Sequence, residues 1–294
     1  MPTQIATPFD RSPVDGSDFA IPAAGLLRTG GLRRAGRSML AFAEYGMARP
    51  LPFQSHIGHT HARVVKAVAG VAAPSAVGIA MTATGTNTLA ASANTSYYTQ
   101  LPKTEYLVTT AATTAVAGVR SSQAEFWRGN AAGQGGFYFN AVWGPATGPS
   151  TTAGTLRLFA GLVGATGAPT DVDPSTITQC IGMGCDSTDT QLQFMYHTGT
   201  AAITKVPIGS SLQFPKPSTD RFDVYMLELY CPPNDSYIGW RVTNLRSGAV
   251  AYGQANSNLP AASTFLNPRI CASVGGTSSV VGVALMSMYI ETPY

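Results

Sequence analysis

Charge is scarce in this sequence. Asp, Glu, Lys and Arg make up 11% of its 294 residues, against roughly a quarter in an average soluble domain. Long helices draw on Glu, Lys and Arg in bulk, so the shortage argues against them and for short strands joined by many turns. It also leaves little ionic surface to hold free copies apart, which points to a surface buried against other copies or partners. Long apolar runs are missing too. The uncharged stretch from Ala67 to Pro102 is broken by Gly, Pro, Asn and many Thr and Ser, whereas a spanning helix needs ~20 predominantly apolar residues. No membrane span is expected. The first residues, MPTQIATPFDRSPVDGSDF, carry no apolar h-region and do not read as a secretory signal. Neither GxSxG, HExxH nor a P-loop occurs, and no Gly-rich strand-to-helix fingerprint argues for a nucleotide-binding α/β fold.

What charge there is lies unevenly. Met1–Lys66 holds eight Lys/Arg and four Asp/Glu, and the remainder holds ten and eleven. The densest part is LLRTGGLRRAGR, with Arg28, Arg33, Arg34 and Arg37. Guanidinium groups can neutralise phosphates, but this excess is modest for a dedicated nucleic-acid binder. The four arginines read instead as docking groups of a tether, pairing with carboxylates on a partner protein. Residues 1–66 show no sustained periodicity apart from one short helical pattern at Gly36–Met47. They are expected to form an extended attachment arm that needs a partner to order it.

Residues 67–120, rich in Thr, Ala, Ser and Val, read as a β-rich connector. From 121 to 294 strand-forming runs alternate with turn clusters: GFYFNAVWG, TLRLFAGLVG, TQCIGMGCD, TQLQFMYHTG, TKVPIG, FDVYMLELYC, YIGWRVTNL, GAVAYGQ, PRICASVG and VVGVALMSMYIET. Ten short strands with regular turn signals predict a mainly β protein, its C-terminal domain an antiparallel β-sandwich or jelly roll. The last strand is apolar on both parities, with Val281, Val283, Leu285 and Tyr289 on one and Ala284, Met286, Met288 and Ile290 on the other. A half-exposed strand would alternate apolar with polar. Both of its faces should therefore be covered, one by the sandwich and the other by a neighbouring copy or the preceding β-rich segment.

The succession FWRGNAAGQGGFYF, LFAGLVGATGAPTDVDPSTITQCIGMGCDSTDTQLQFMYHTG, DVYMLELYCPPNDSYIGWRVTNLRSGAVAYGQ and a closing MYIETPY resembles a domain of tailed-bacteriophage virion structural proteins of tail-fibre type. The resemblance runs from about Phe126 to Tyr294, and FQSHIG at Phe53–Gly58 is similar as well. It implies a non-enzymatic virion protein, assembled in the host bacterial cytoplasm. The arm would dock it to other virion proteins, and the sandwich would face outward as a fibre or receptor-binding module, in a homo-oligomer that is three-fold by preference. A capsid-decorating role is the alternative, and a glycan depolymerase a remote one. The resemblance brings no catalytic residues and no cofactor.

Several residues could nonetheless carry chemistry. Cys180 and Cys185 are an odd number apart, so on a regular strand they point to opposite faces and cannot share a metal. With Cys231 and Cys271 they read as buried free thiols, the more so if assembly takes place in a reducing cytoplasm. Asp186 and Asp189 in DSTD could hold a hard cation, but two aspartates and a serine in four residues more often make a turn. Asp171 and Asp173, before Pro174, read the same way. His56, His59 and His61 lie close together in HIGHTH, without a nearby carboxylate or thiol. A metal site and a pH-sensitive contact are both open, and interface histidines are the default. Asp220, Asp223 and Glu228 are the nearest approach to an acid pair. Glu228 lies in an apolar strand, and a structural ion pair to Arg241 on a neighbouring strand is the expected arrangement. Of the aromatics, most are expected in the core; Trp143 and Tyr237, beside turns, could stack on the sugar rings of a host surface glycan.

Overall fold

The computed structural model describes residues 61–66, 81–146, 155–217 and 223–292. The docking arginines Arg28, Arg33, Arg34 and Arg37, the helical pattern at 36–47, His56, His59 and Asp220 lie outside the described residues.

Fifteen strands run through these segments. They are β1 (His61–Lys66), β2 (Met81–Thr84), β3 (Thr86–Ala90), β4 (Lys103–Ala112), β5 (Val116–Ser121), β6 (Phe137–Pro145), β7 (Arg157–Val163), β8 (Cys180–Cys185), β9 (Gln193–His197), β10 (Thr204–Pro207), β11 (Tyr225–Cys231), β12 (Ile238–Asn244), β13 (Val250–Ala255), β14 (Asn267–Ser273) and β15 (Ser279–Thr292). A single helical turn, α1 (Tyr97–Gln100), is closed by a reciprocal Ser96–Thr99 cap. All ten runs identified from residue 121 onward are strands. They form two antiparallel sheets, and the fold is an antiparallel β-sandwich. One sheet has the order β13-β12-β11-β6-β15-β4-β3, with β1 also on β15. The other has the order β10-β9-β8-β7-β14-β5-β2.

The expected connector does not stand apart from the sandwich. Residues 81–121 supply β2 and β5 to the seven-stranded sheet and β3 and β4 to the eight-stranded one. The chain changes sheet within one residue at Gly85, whose φ is +84°. A Cβ there would lie 2.6 Å from the carbonyl oxygen of Leu107, so only glycine makes this corner. His61–Lys66, read as the end of the arm, is also sheet: β1 pairs with Ser287–Thr292 along the same side of β15 that carries β4 at Val281–Leu285.

The inner faces interdigitate in one core. Phe139, Trp143, Leu227, Leu229 and Trp240 come from one sheet, and Leu158, Leu162, Ile181, Met183, Phe194 and Ile270 from the other. Phe194 stacks on Trp240 with centroids 4.4 Å apart, and each such side chain contributes about 1.5–3 kcal/mol by leaving water. Trp143 is fully buried here and tilted against Tyr225. Its expected sugar contact is thus corrected. β6 continues to Pro145, so the turn signal GPATG starts beyond Trp143, and the indole points inward.

β15 is covered on both faces, as its composition required, but by its own chain. A bulge between Leu285 and Ser287 resets the alternation. Val281, Val283, Leu285, Met288 and Ile290 therefore all face the core, which corrects the parity expected for Met288 and Ile290. Ala284 and Met286 face outward, where Tyr98 of α1, Val142, Val224 and Met226 cover them. This strand does not call for a second copy.

Candidate functional site

The outer face of the seven-stranded sheet carries a concavity. Along β7, Leu158, Ala160 and Leu162 point into the core; Arg157, Phe159, Gly161 and Val163 therefore point out. By register, Arg269 and Cys271 of β14 and Gly182 of β8 lie on the same outer face. Gly161 and Gly182 face each other, and a Cβ on Gly161 would come within 2.6 Å of the Gly182 Cα. The middle of this face is therefore bare backbone. The segment 164–178 folds back over it and packs Ile177 on a small apolar cluster of Phe159, Val163, Cys180 and Cys271.

Polar struts hold this segment in place. Arg157 reaches Asp171 at 2.8 Å and Asp173 at 2.7 Å. Asp171 also accepts from the backbone N–H groups of Gly275 and Gly276, at 2.9 and 3.0 Å. Burial alone would raise the Asp171 carboxyl, but hydrogen bonds from Ser273, Gly275, Arg157 and Gly276 bring it below its ordinary value. Asp173 is likewise lowered: burial opposes this, and the hydrogen bonds from Ser187 and Arg157 outweigh it. Asp173 Oδ1 accepts from Ser187 N–H at 2.8 Å, and Asp186 Oδ1 accepts from Ser175 N–H at 2.9 Å. Near the start of the segment, Arg269 Nη2 donates to the carbonyls of Ala165 (2.7 Å) and Gly167 (2.8 Å). Near its end, the His197 ring lies between the carbonyls of Ile177 and Ala201. Between segment and sheet remains a cleft of about 260 Å³, lined by Arg157, Phe159, Pro169, Val172, Ile177, Arg269 and Cys271 among others.

The residues singled out from sequence fall in different places. DSTD is a turn, with Asp189 Oδ2 accepting from Asp186 N–H at 2.8 Å. Lys205 of β10 reaches both carboxylates, at 2.8 and 2.7 Å, so both aspartates serve an ion pair. Asp173 starts the turn Pro174–Thr176, as expected, its carbonyl accepting from Thr176 N–H at 2.8 Å, and both Asp171 and Asp173 are in addition ion-pair partners of Arg157. Among the described residues no group of three His, Cys, Asp or Glu is placed to hold a metal. His61 opens β1. All four cysteines are free and buried. Cys185 faces the main core and Cys180 the outer cluster, on opposite faces as the odd spacing required. The fold also brings Cys271 into the outer cluster with Cys180, which their sequence positions did not suggest. Burial pushes the thiols of Cys180, Cys185 and Cys231 up to about 12 and that of Cys271 to about 11.

Glu228 and Arg241 are direct cross-strand partners, 2.7 Å apart and buried. Tyr138 donates to the other carboxylate oxygen at 2.8 Å. Asp223 is buried and accepts from Asn244 Nδ2 at 3.1 Å. Tyr237 is half-buried in the turn between β11 and β12, away from the residues that line the cleft. Burial and the nearby Asp235 raise its phenol.

No protein-family model matches the chain, and no curated protein matches its sequence. Solved structures do match in shape. A protein of unknown function from Shewanella oneidensis MR-1 is 10% identical, with 84% of this chain and 91% of that one covered, at a TM-score of 0.51. Peanut lectin with a 9mer peptide is 11% identical, over 79% and 97% of the two chains, at 0.49. The lectin UEA-II complexed with galactose is 10% identical, over 80% and 99%, at 0.49. Likeness at such identities speaks of fold alone.

The residues that shape the cleft, Arg157 and Arg269, were not singled out from the sequence. A signal was present. Arg269 in PRICAS is a charged residue inside an apolar strand, the same feature that drew attention to Glu228.

Proposed function

We propose that this chain is a non-enzymatic bacteriophage virion protein of tail-fibre type, docked by its N-terminal arm and presenting the sandwich as a binding module. The observation that carries the reading is the use made of the acidic side chains. Asp171, Asp173, Asp186, Asp189 and Glu228 each face an arginine or lysine at 2.7–2.8 Å. They act as struts, and those of Asp171, Asp173 and Asp186 fix segment 164–178 over a preformed cleft, an arrangement suited to binding. The sequence resemblance between Phe126 and Tyr294 supports the virion setting, and the arm's basic excess supports docking on other virion proteins. A homo-oligomer, three-fold by preference, belongs to this reading and rests on the low charge of the chain. The cleft and the half-exposed Tyr237 are where a host surface glycan would be sought.

The test is to make particles with this chain lacking residues 1–60, a cut that spares β1. Full-length chain is expected on the particle tail in labelled electron micrographs, and the shortened chain is expected to fold yet be missing from particles. Incorporation of the shortened chain overturns the docking arm, and label on the capsid favours decoration instead.

A further inference from the structure

Beside the struts, the outer face of the seven-stranded sheet carries two further arginines. Arg120 of β5 and Arg269 of β14 are directly opposite in register, on the outer face of the seven-stranded sheet. Like charges at this spacing repel. Arg269 is only 6% exposed. Its Nη2 is taken by the two loop carbonyls, while its Nε and the Nε of Arg120 are buried without a hydrogen-bond partner. Among the described residues neither guanidinium meets a carboxylate. This contrasts with Arg157, Lys205 and Arg241, each of which does. Burial lowers the affinity of Arg269 for its proton, and the neighbouring Arg120 adds to this against the opposing pull of Cys271 and Cys180, as expected for a buried cation that meets no carboxylate. Arg269 lines the cleft and Arg120 flanks it across the β14–β5 pair, and the N–H groups left on two adjacent guanidiniums are donors of the kind that recognise a planar or tetrahedral oxyanion.

We infer that Arg120 and Arg269 bind the oxyanion, carboxylate or sulfate, of a ligand whose body occupies the cleft beneath segment 164–178. The cleft limits that body. About 260 Å³ is below the roughly 300–1,000 Å³ of pockets for drug-sized ligands, so one ring enters and a chain does not. Phe159, Val172 and Ile177 supply apolar wall, and Thr170 and Thr176 supply hydroxyls. A single acidic sugar ring has this combination of charge, hydroxyls and apolar ring face. The inference takes from the proposed function only that the cleft is a binding surface, and it is independent of where the protein sits on a particle.

Calorimetric titration of the full-length protein with glucuronate, glucose and inorganic sulfate tests it. Saturable glucuronate binding is expected, with glucose at least about tenfold weaker, the worth of one charge-assisted hydrogen bond. Inorganic sulfate should compete with glucuronate. Arg120→Gln, which leaves the loop anchors of Arg269 untouched and removes a like-charge repulsion, should weaken glucuronate by about tenfold or more with no loss of melting temperature. Equal binding of glucuronate and glucose, or wild-type affinity in Arg120→Gln, overturns the site. Sulfate binding without glucuronate binding overturns the ring-sized ligand. Glucuronate binding by a protein found on no particle would leave this inference standing and the virion reading lost.

Discussion

Glu228 shows what one buried charge does to the sheet that holds it. It is wholly buried on β11 between Tyr138 and Arg241. Burial pushes its carboxyl from 4.5 up to about 7, against the opposing pull of Arg241 and the Tyr138 hydrogen bond. The folded state thus holds this proton more tightly than the unfolded chain. The stability that Glu228 contributes is complete below its ordinary value of 4.5 and is lost as pH rises through about 7. Glu228→Gln cannot titrate, and its amide oxygen can still accept from Tyr138. Melting curves across this interval should show the wild type losing stability with rising pH relative to Glu228→Gln. Parallel curves for the two proteins would mean that Arg241 holds the carboxylate ionised throughout. The pairing itself was legible in the sequence, because a lone acid in an apolar strand needs a cationic neighbour. The role of Tyr138 was not, since nothing in the spacing of residues 138 and 228 marks them as neighbours.

The segment 164–178 has almost no regular structure beyond the turn Pro174–Thr176, yet it is held at many points. Arg157 is the main one, because its guanidinium meets two carboxylates and the Asp171 carbonyl. Arg157→Met would leave Asp171 and Asp173 without their cation. Removing one partner of a buried pair costs about 3–5 kcal/mol. Arg157 and Asp173 keep 17% and 31% of their side-chain surface exposed, so screening lowers the expected loss to about 1–3 kcal/mol. Amide hydrogen exchange should report where the loss falls. The N–H groups of Gly275, Gly276 and Ser187, which donate to these aspartates, should exchange faster than the core of β7. Unchanged exchange at all three would show that the segment is held without Arg157.

At the scale of the molecule, the two sheets cannot come apart one after the other. The chain passes between them at β1–β2, β2–β3, β4–β5, β5–β6, β6–β7, β10–β11, β13–β14 and β14–β15. Each sheet therefore mixes early and late segments, and a single core lies between them. Tryptophan fluorescence and far-UV circular dichroism should follow one coincident unfolding transition. The four thiols, raised by burial, should react with an aromatic disulfide reagent only as that transition proceeds. Reaction of any cysteine well below it would mean that part of the sandwich opens alone.

Composition and alternation by themselves determined the β-sandwich, the ten strands beyond residue 121, the opposite facing of Cys180 and Cys185, and the covering of β15 on both faces. These are local consequences of strand geometry, which alternates side chains with a period of two wherever the chain is extended. Three things were decided only by the tertiary structure. The bulge after Leu285 turned Met288 and Ile290 inward, the continuation of β6 to Pro145 buried Trp143, and β14 came to lie between β5 and β7. The last placed Arg269 beside Arg120 and under the carbonyls of segment 164–178. Period-two alternation tells which way a side chain points within its own strand, but not which strand becomes its neighbour. That choice follows from how the inner faces of both sheets pack into one core.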